Sequence, residues 1–237
     1  GLGGGAESYM AETLYFVDNG WRVFSFDCTG SHESEGKGTI GLPQSVLDLN
    51  AALSYIESDS SLDDLPVMLY GHSWGGYAVA AVLNYGHDIT AAASIAGFNA
   101  PMGILFERAT KMMGAFAYLE YPFLWAYQTM LFGRAARLTA VDGINSADTA
   151  VMIIHGDKDT TVSYDKAGII AHRGEITNPN VVYKTCTAEN HNGHRNLFRS
   201  EAAVEYTNQK NRVYQELHDL YNGSIPDDVL ASYYADV

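Results

Sequence analysis

The chain has 237 residues, 47% of them hydrophobic, with 28 acidic against 14 basic side chains and a formal net charge of −14. That length and apolar content suit a single domain with a sizeable core. The charge excludes the basic footprint of a nucleic-acid binder and disfavours anionic membranes and strongly anionic substrates. Two cysteines, Cys28 and Cys186, are too few for a disulfide scaffold and read as buried thiols in strands.

The opening Gly1-Leu2-Gly3-Gly4-Gly5 has no initiator methionine and no strand before it. N-terminal strands of the fold are therefore expected to be missing from this sequence. No signal peptide is visible, which points to a cytoplasmic location. Ser8 is placed to cap a first helix carrying Met10, Thr13, Leu14 and Val17 on one face and closed by Gly20. Arg22-Val23-Phe24-Ser25-Phe26 reads as a strand, and Asp27 to Gly41 as a loop. A second helix is expected from about Pro43 to Ser58, with Val46, Leu49, Leu53 and Ile56 on one side. The apolar run Val67-Met68-Leu69-Tyr70 reads as a strand buried on both faces, followed by a small-residue helix from Trp74 to about Tyr85. Further strands are expected at Ile89–Ile95, Val151–Ile154 and Val181–Thr185.

Such alternation predicts an α/β fold with a parallel sheet and helices on both faces. The stretch from about residue 99 to 148 is too long for one crossover. It is read as a helical cap inserted into a single domain spanning residues 1–237. The most apolar long segment, Met112 to Phe132, is interrupted by Glu120, Pro122 and Gln128, so no membrane span is expected. A last helix should run from about Leu197 to Tyr221, closed by Asn222-Gly223, with a loosely packed tail. Asp63-Asp64 and Asp227-Asp228 read as solvated turns.

The chemistry centres on Gly71-His72-Ser73-Trp74-Gly75-Gly76, standing between a strand and a helix. That is the context of a nucleophile elbow, a turn so tight that glycine is needed two residues before and two after the serine. It would lift the Ser73 hydroxyl to the carboxyl end of the sheet. A serine hydroxyl needs a base, and the base needs a carboxylate to orient it. In the expected chain order, the acid follows the strand ending at His155, where Asp157 and Asp159 compete. The histidine follows the next strand, where His191 and His194 compete. His32, His72 and His155 read as structural. His191 and His194 have no third ligand at a recognisable spacing, so no metal is expected.

With these motifs, the chain resembles the α/β-hydrolase superfamily in its esterase, lipase and serine-aminopeptidase-like branch. The resemblance runs from Gly1 to about Phe198. It rests on the loop Asp27 to Gly36, the elbow, His155-Gly156-Asp157-Lys158-Asp159-Thr160-Thr161-Val162, and Gly193-His194. It implies a mainly parallel, doubly wound sheet and the triad Ser73, Asp159 and His194. The implied oxyanion hole uses the backbone N–H of Trp74 and, where Gly1-Leu2 matches the end of the family's glycine-rich loop, that of Leu2.

No cofactor is implied, and the expected partner is a small-molecule ester or a short peptide. The apolar and aromatic content of the cap (Phe106, Met112, Met113, Phe116, Tyr118, Tyr121, Phe123, Trp125 and Phe132) suggests an ester with a lipophilic acyl group. The alternatives are a serine peptidase of the same superfamily and a non-catalytic binding protein on this fold.

Overall fold

The computed structural model describes residues 1–62 and 65–235, so the expected turn at Asp63-Asp64 lies outside the described residues. Four strands, β1 (Met68–His72), β2 (Ala91–Ile95), β3 (Ala150–Gly156) and β4 (Val181–Cys186), form a parallel sheet in the order 1-2-3-4. Leu69, Ala92, Val151 and Val181 lie opposite one another across it. Because every pairing is parallel, each connection must cross over a sheet face, and helices supply the crossovers.

The two faces are unequally covered. On one, α2 (Gln44–Glu57), α3 (Trp74–Ala81) and α6 (Ala140–Asn145) pack together. Val46, Leu53, Tyr77, Val82, Ile144, Ile153 and Ile169 form the centre of that core. Tyr77 stacks on Phe98 with ring centroids 4.8 Å apart, and its hydroxyl donates to the Leu138 carbonyl, so the buried phenol is satisfied. Close approach is bought with glycine: a Cβ on Gly143 would stand 2.2 Å from the Ala80 carbonyl oxygen. The other face holds a smaller cluster of Ile95, Ala96 and Ile154 with Tyr70 and Leu197 against it. There α1 (Met10–Asp18) sets Phe16 edge-on to Tyr70 at 5.6 Å. Thinner cover leaves Met152 and Val182 exposed, and β1 alternates buried and half-buried residues, so it is not buried on both faces as expected.

Several local expectations are corrected. Arg22–Phe26 forms no strand; a cavity of about 260 Å³, lined by Arg22, Phe24, Phe26, Met68 and Tyr70, separates it from β1. Extended propensity without a neighbour in hydrogen-bonding reach makes no ladder. Ser8 lies in a 3₁₀ turn and caps nothing, since the N-cap of α1 is Tyr9. The last helix begins later than expected: α7 (Glu201–Leu220) is capped by Ser200, whose hydroxyl accepts from the Ala203 N–H at 3.3 Å. The tail forms α8 (Asp227–Ala235), with Asp227 and Asp228 in its first turn, where carboxylates favour the helix dipole. Both cysteines are free and only half-buried, and Cys28 lies outside any strand.

Between β2 and β3 the chain makes α4 (Pro101–Met113), α5 (Ala117–Phe132) and α6. Phe106 of α4 meets Tyr118 and Tyr121 of α5 edge-on at 5.0 and 4.7 Å, joining the two helices. Met112, Phe116, Tyr118 and Phe123 are exposed. Among the described residues, no helix is long and apolar enough to cross a membrane.

Candidate active site

The turn after β1 is tight, and the expected need for glycine holds two residues before the serine but not two after it, since a Cβ on Gly75 would meet nothing within 4 Å. Ser73 has φ 58° and ψ −111°, a backbone conformation that an L-residue adopts only when its surroundings enforce it. Its N–H donates to the Ile95 carbonyl at 2.8 Å, and its carbonyl accepts from the Tyr77 N–H at 3.1 Å. A Cβ on Gly71 would lie 2.2 Å from the Gly75 carbonyl oxygen, and one on Gly76 would lie 2.8 Å from Gly97 Cα. Ser73 thus precedes the first residue of α3, where backbone N–H groups have no intrahelical acceptor. Trp74, the first of these, is buried, and its indole N–H donates to the Leu42 carbonyl at 2.7 Å.

Strand ends bring the other groups to the same rim. After β3, Asp159 is buried; its Oδ1 accepts from the N–H groups of Thr161 and Val162 at 2.8 and 2.9 Å. After β4, His194 is buried. Its Nδ1–H donates to Asp159 Oδ2 at 2.6 Å, and its Nε2 accepts from the Ser73 hydroxyl at 2.8 Å. Burial works to raise the pKa of Asp159. Hydrogen bonds from His155, His194 and backbone N–H groups outweigh it and hold the carboxyl well below the usual carboxylate range. An acid whose ionised form is favoured, a tautomer-fixed imidazole and a hydroxyl pointing at its free nitrogen form an arrangement able to activate an oxygen nucleophile.

The competing candidates are occupied elsewhere. Asp157 Oδ1 accepts from the Asn192 amide at 2.8 Å. His191 bonds the Asn196 carbonyl through Nδ1 at 3.1 Å and the Glu201 carboxylate through Nε2 at 2.9 Å. Among the described residues, no group of three His, Cys, Asp or Glu side chains is placed to hold a metal ion.

Two histidines read as structural from sequence touch the site directly. His72 Nε2–H donates to the His194 carbonyl at 2.7 Å, which fixes its tautomer, so Nδ1 accepts from the Tyr9 hydroxyl at 3.0 Å. Burial pushes its pKa down from 6.5 to about 4, against the opposing pull of its bond to the His194 backbone. His155 is fully buried, with Nε2 3.0 Å from the Val162 carbonyl and 3.3 Å from Asp159 Oδ2. The signal available in sequence was their position, one residue before the serine and four before the acid.

Ser73, Trp74 and His194 open onto a cavity of about 910 Å³, and Leu2 and Gly1 stand on its wall. Its apolar lining includes Leu42, Phe98, Ile104, Leu105, Leu197 and Phe198. None of the nine residues expected to make a lipophilic pocket lines it: Phe106, Tyr118 and Tyr121 meet between α4 and α5, Phe132 packs against the main core, Arg137 lies over Trp125, and Met112, Met113, Phe116 and Phe123 are exposed.

Fold and site geometry together define a hydrolase of the α/β-hydrolase superfamily. More narrowly, the chain belongs to the prolyl oligopeptidase family, whose model matches residues 7–217. A comparison with curated proteins gives no match. Among solved structures, it is similar to an esterase of Pyrococcus furiosus, at 21% identity and TM-score 0.59, covering 90% of this chain and 76% of that one. It is also similar to a monoacylglycerol lipase of Paleococcus ferrophilus, at 16% identity and TM-score 0.57, covering 87% of this chain and 90% of that one. A third is an acetyl xylan esterase of Paenibacillus sp. R4, at 14% identity and TM-score 0.57, covering 85% and 68%. At such identities the likeness shows the fold.

Proposed function

We propose that the protein is a carboxylic-ester hydrolase acting through an acyl-enzyme on Ser73, with residues 99–148 as the cap over its site. The observation that carries this reading is the unbroken chain from Asp159 through His194 to the Ser73 hydroxyl, with bonds of 2.6 and 2.8 Å. Ser73 Oγ attacks the ester carbonyl while His194 Nε2 takes its proton, and Asp159 stabilises the imidazolium that results. The carbonyl oxygen, now an oxyanion, is received by the Trp74 N–H at the head of α3 and by that of Leu2. The imidazolium returns its proton to the leaving alkoxide. Water, deprotonated by His194, then releases the acid and frees the serine. No cofactor takes part in these steps.

Ester over amide is favoured by the apolar wall of Leu42, Phe98, Ile104 and Leu105 beside the serine, which suits a lipophilic acyl group. The P. furiosus and P. ferrophilus neighbours, an esterase and a monoacylglycerol lipase by name, support the same choice. Family membership favours the second reading, a serine peptidase using the same three side chains. Hydrolysis of p-nitrophenyl butyrate beside that of an aminoacyl p-nitroanilide separates the two. The ester should turn over and the anilide should not. Ser73→Ala and His194→Ala should each lower kcat on the order of 10⁴- to 10⁶-fold. Turnover of the anilide alone would move the assignment to the peptidase. Ester turnover that survives Ser73→Ala would remove the serine from the mechanism.

A further inference from the structure

The charge of the cavity departs from that of the chain. Acidic side chains outnumber basic ones 28 to 14 over the whole sequence. Around the cavity that holds Ser73 the balance reverses: Arg108, Arg195 and Arg199 line it, against a single acid, Glu12, among the described residues. The arginines come from two separate parts of the fold. Arg108 lies on α4, one turn beyond Ile104, and donates through one terminal nitrogen to the Thr161 carbonyl at 2.8 Å, in the loop that carries Asp159. Arg195 follows His194 directly, and Arg199 is tied back to the Arg195 carbonyl through Nε at 3.0 Å. Each anchoring bond goes to a neutral carbonyl and spends one donor of five, leaving guanidinium edges available. Among the described residues, none of the three forms an ion pair with a carboxylate, although acids are in twofold excess. Ser200, the N-cap of α7, stands on the same wall, so the positive end of a 20-residue helix adds to the field.

Three like charges on the wall of one cavity raise its positive potential, which a bound anion offsets. All three arginines are exposed, so solvent and salt screen that potential and its strength depends on ionic strength. From this clustering we infer that the substrate carries a carboxylate at a distance from its scissile ester, held by Arg108, Arg195 and Arg199, while its apolar portion lies along Ile104, Leu105 and Phe98. Planar guanidinium groups suit a carboxylate because two parallel N–H donors match its two oxygens. The inference deepens the ester-hydrolase reading and rests on it for the position of the scissile bond.

The test measures binding apart from turnover. Ser73→Ala protein is titrated calorimetrically with p-nitrophenyl hemiadipate, which ends in a carboxylate, and with its neutral methyl ester. The charged compound should bind about tenfold more tightly, with an advantage that shrinks as salt is raised. Adding Arg195→Gln or Arg108→Gln should each remove most of that advantage, and Arg195→Lys should keep part of it. Equal affinity for the two compounds, or a preference unmoved by the arginine substitutions, overturns the inference. Turnover of both esters by the parent enzyme is a separate readout: its absence would count against the ester-hydrolase reading, whatever the binding preference shows.

Discussion

Replacing His72 with alanine tests whether the residue before the nucleophile positions the base. In the structure, its Nε2–H donates to the backbone carbonyl of His194 at 2.7 Å, and the two rings lie 4.9 Å apart. Alanine removes that donor and leaves a sheltered carbonyl without its partner, a loss of about 2 kcal/mol. If the loss falls on the alignment of His194 with Ser73, kcat drops about 30-fold while KM barely moves. His72→Gln, which keeps an N–H donor, should restore kcat to within a few-fold. The same pair reports on pH. Burial holds folded His72 neutral down to about pH 4, whereas the unfolded chain takes up its proton near pH 6.5. Stability is therefore complete above 6.5, declines as pH falls towards 4, and loses no more to this group below that. The gap between the two values is worth about 3 kcal/mol. Urea midpoints measured across that window should fall in the parent and stay flatter in His72→Gln. An unchanged kcat in His72→Ala would refute the positioning role, and equally steep pH dependence in both proteins would refute the buried, neutral state of His72.

Asp159→Asn should lower kcat on the order of 10⁴-fold on p-nitrophenyl butyrate, because an amide does not hold His194 in the tautomer that leaves Nε2 free to accept; a loss below tenfold would exclude Asp159 as the orienting acid. Gly71→Ala forces a Cβ to 2.2 Å from the Gly75 carbonyl oxygen, which is backbone and yields little. Thermal or urea unfolding should show a loss of about 3 kcal/mol or more, and an unaltered midpoint would contradict the packing described for the turn.

What could be read in the sequence was whatever local chemistry dictates. Strands β1, β3 and β4 announce themselves as short apolar runs, and Gly71 is required by a contact within the same turn, whereas Gly76 answers to Gly97 in the turn after β2 and a Cβ on Gly75 would meet nothing. Asp157 and Asp159 sat two residues apart with equal claims on local grounds. Only the fold shows Asp159 receiving the Thr161 and Val162 N–H groups while Asp157 turns to Asn192. Readings that depended on distant partners fared worse. Arg22–Phe26 has the composition of a strand but no neighbour within pairing distance. The aromatic content of residues 99–148 was visible, but composition does not say which face of a helix meets a cavity, and Ile104, Leu105 and Arg108 meet it instead. His72 and His155 looked structural because their contacts, to the His194 carbonyl and to Asp159, arise only when strand ends gather at one rim.

The contacts that tie the rim together also fix when it can form. Ser73 meets His194 across 121 residues of chain, and His72 meets the His194 carbonyl across 122, so neither bond can form until β1 to β4 stand in order. Closing so long a loop is entropically costly and is repaid only by the packing of everything between. During refolding, helical content should therefore return before the hydroxyl gains its base, and recovered activity would time the completion of the topology, not the collapse of the chain.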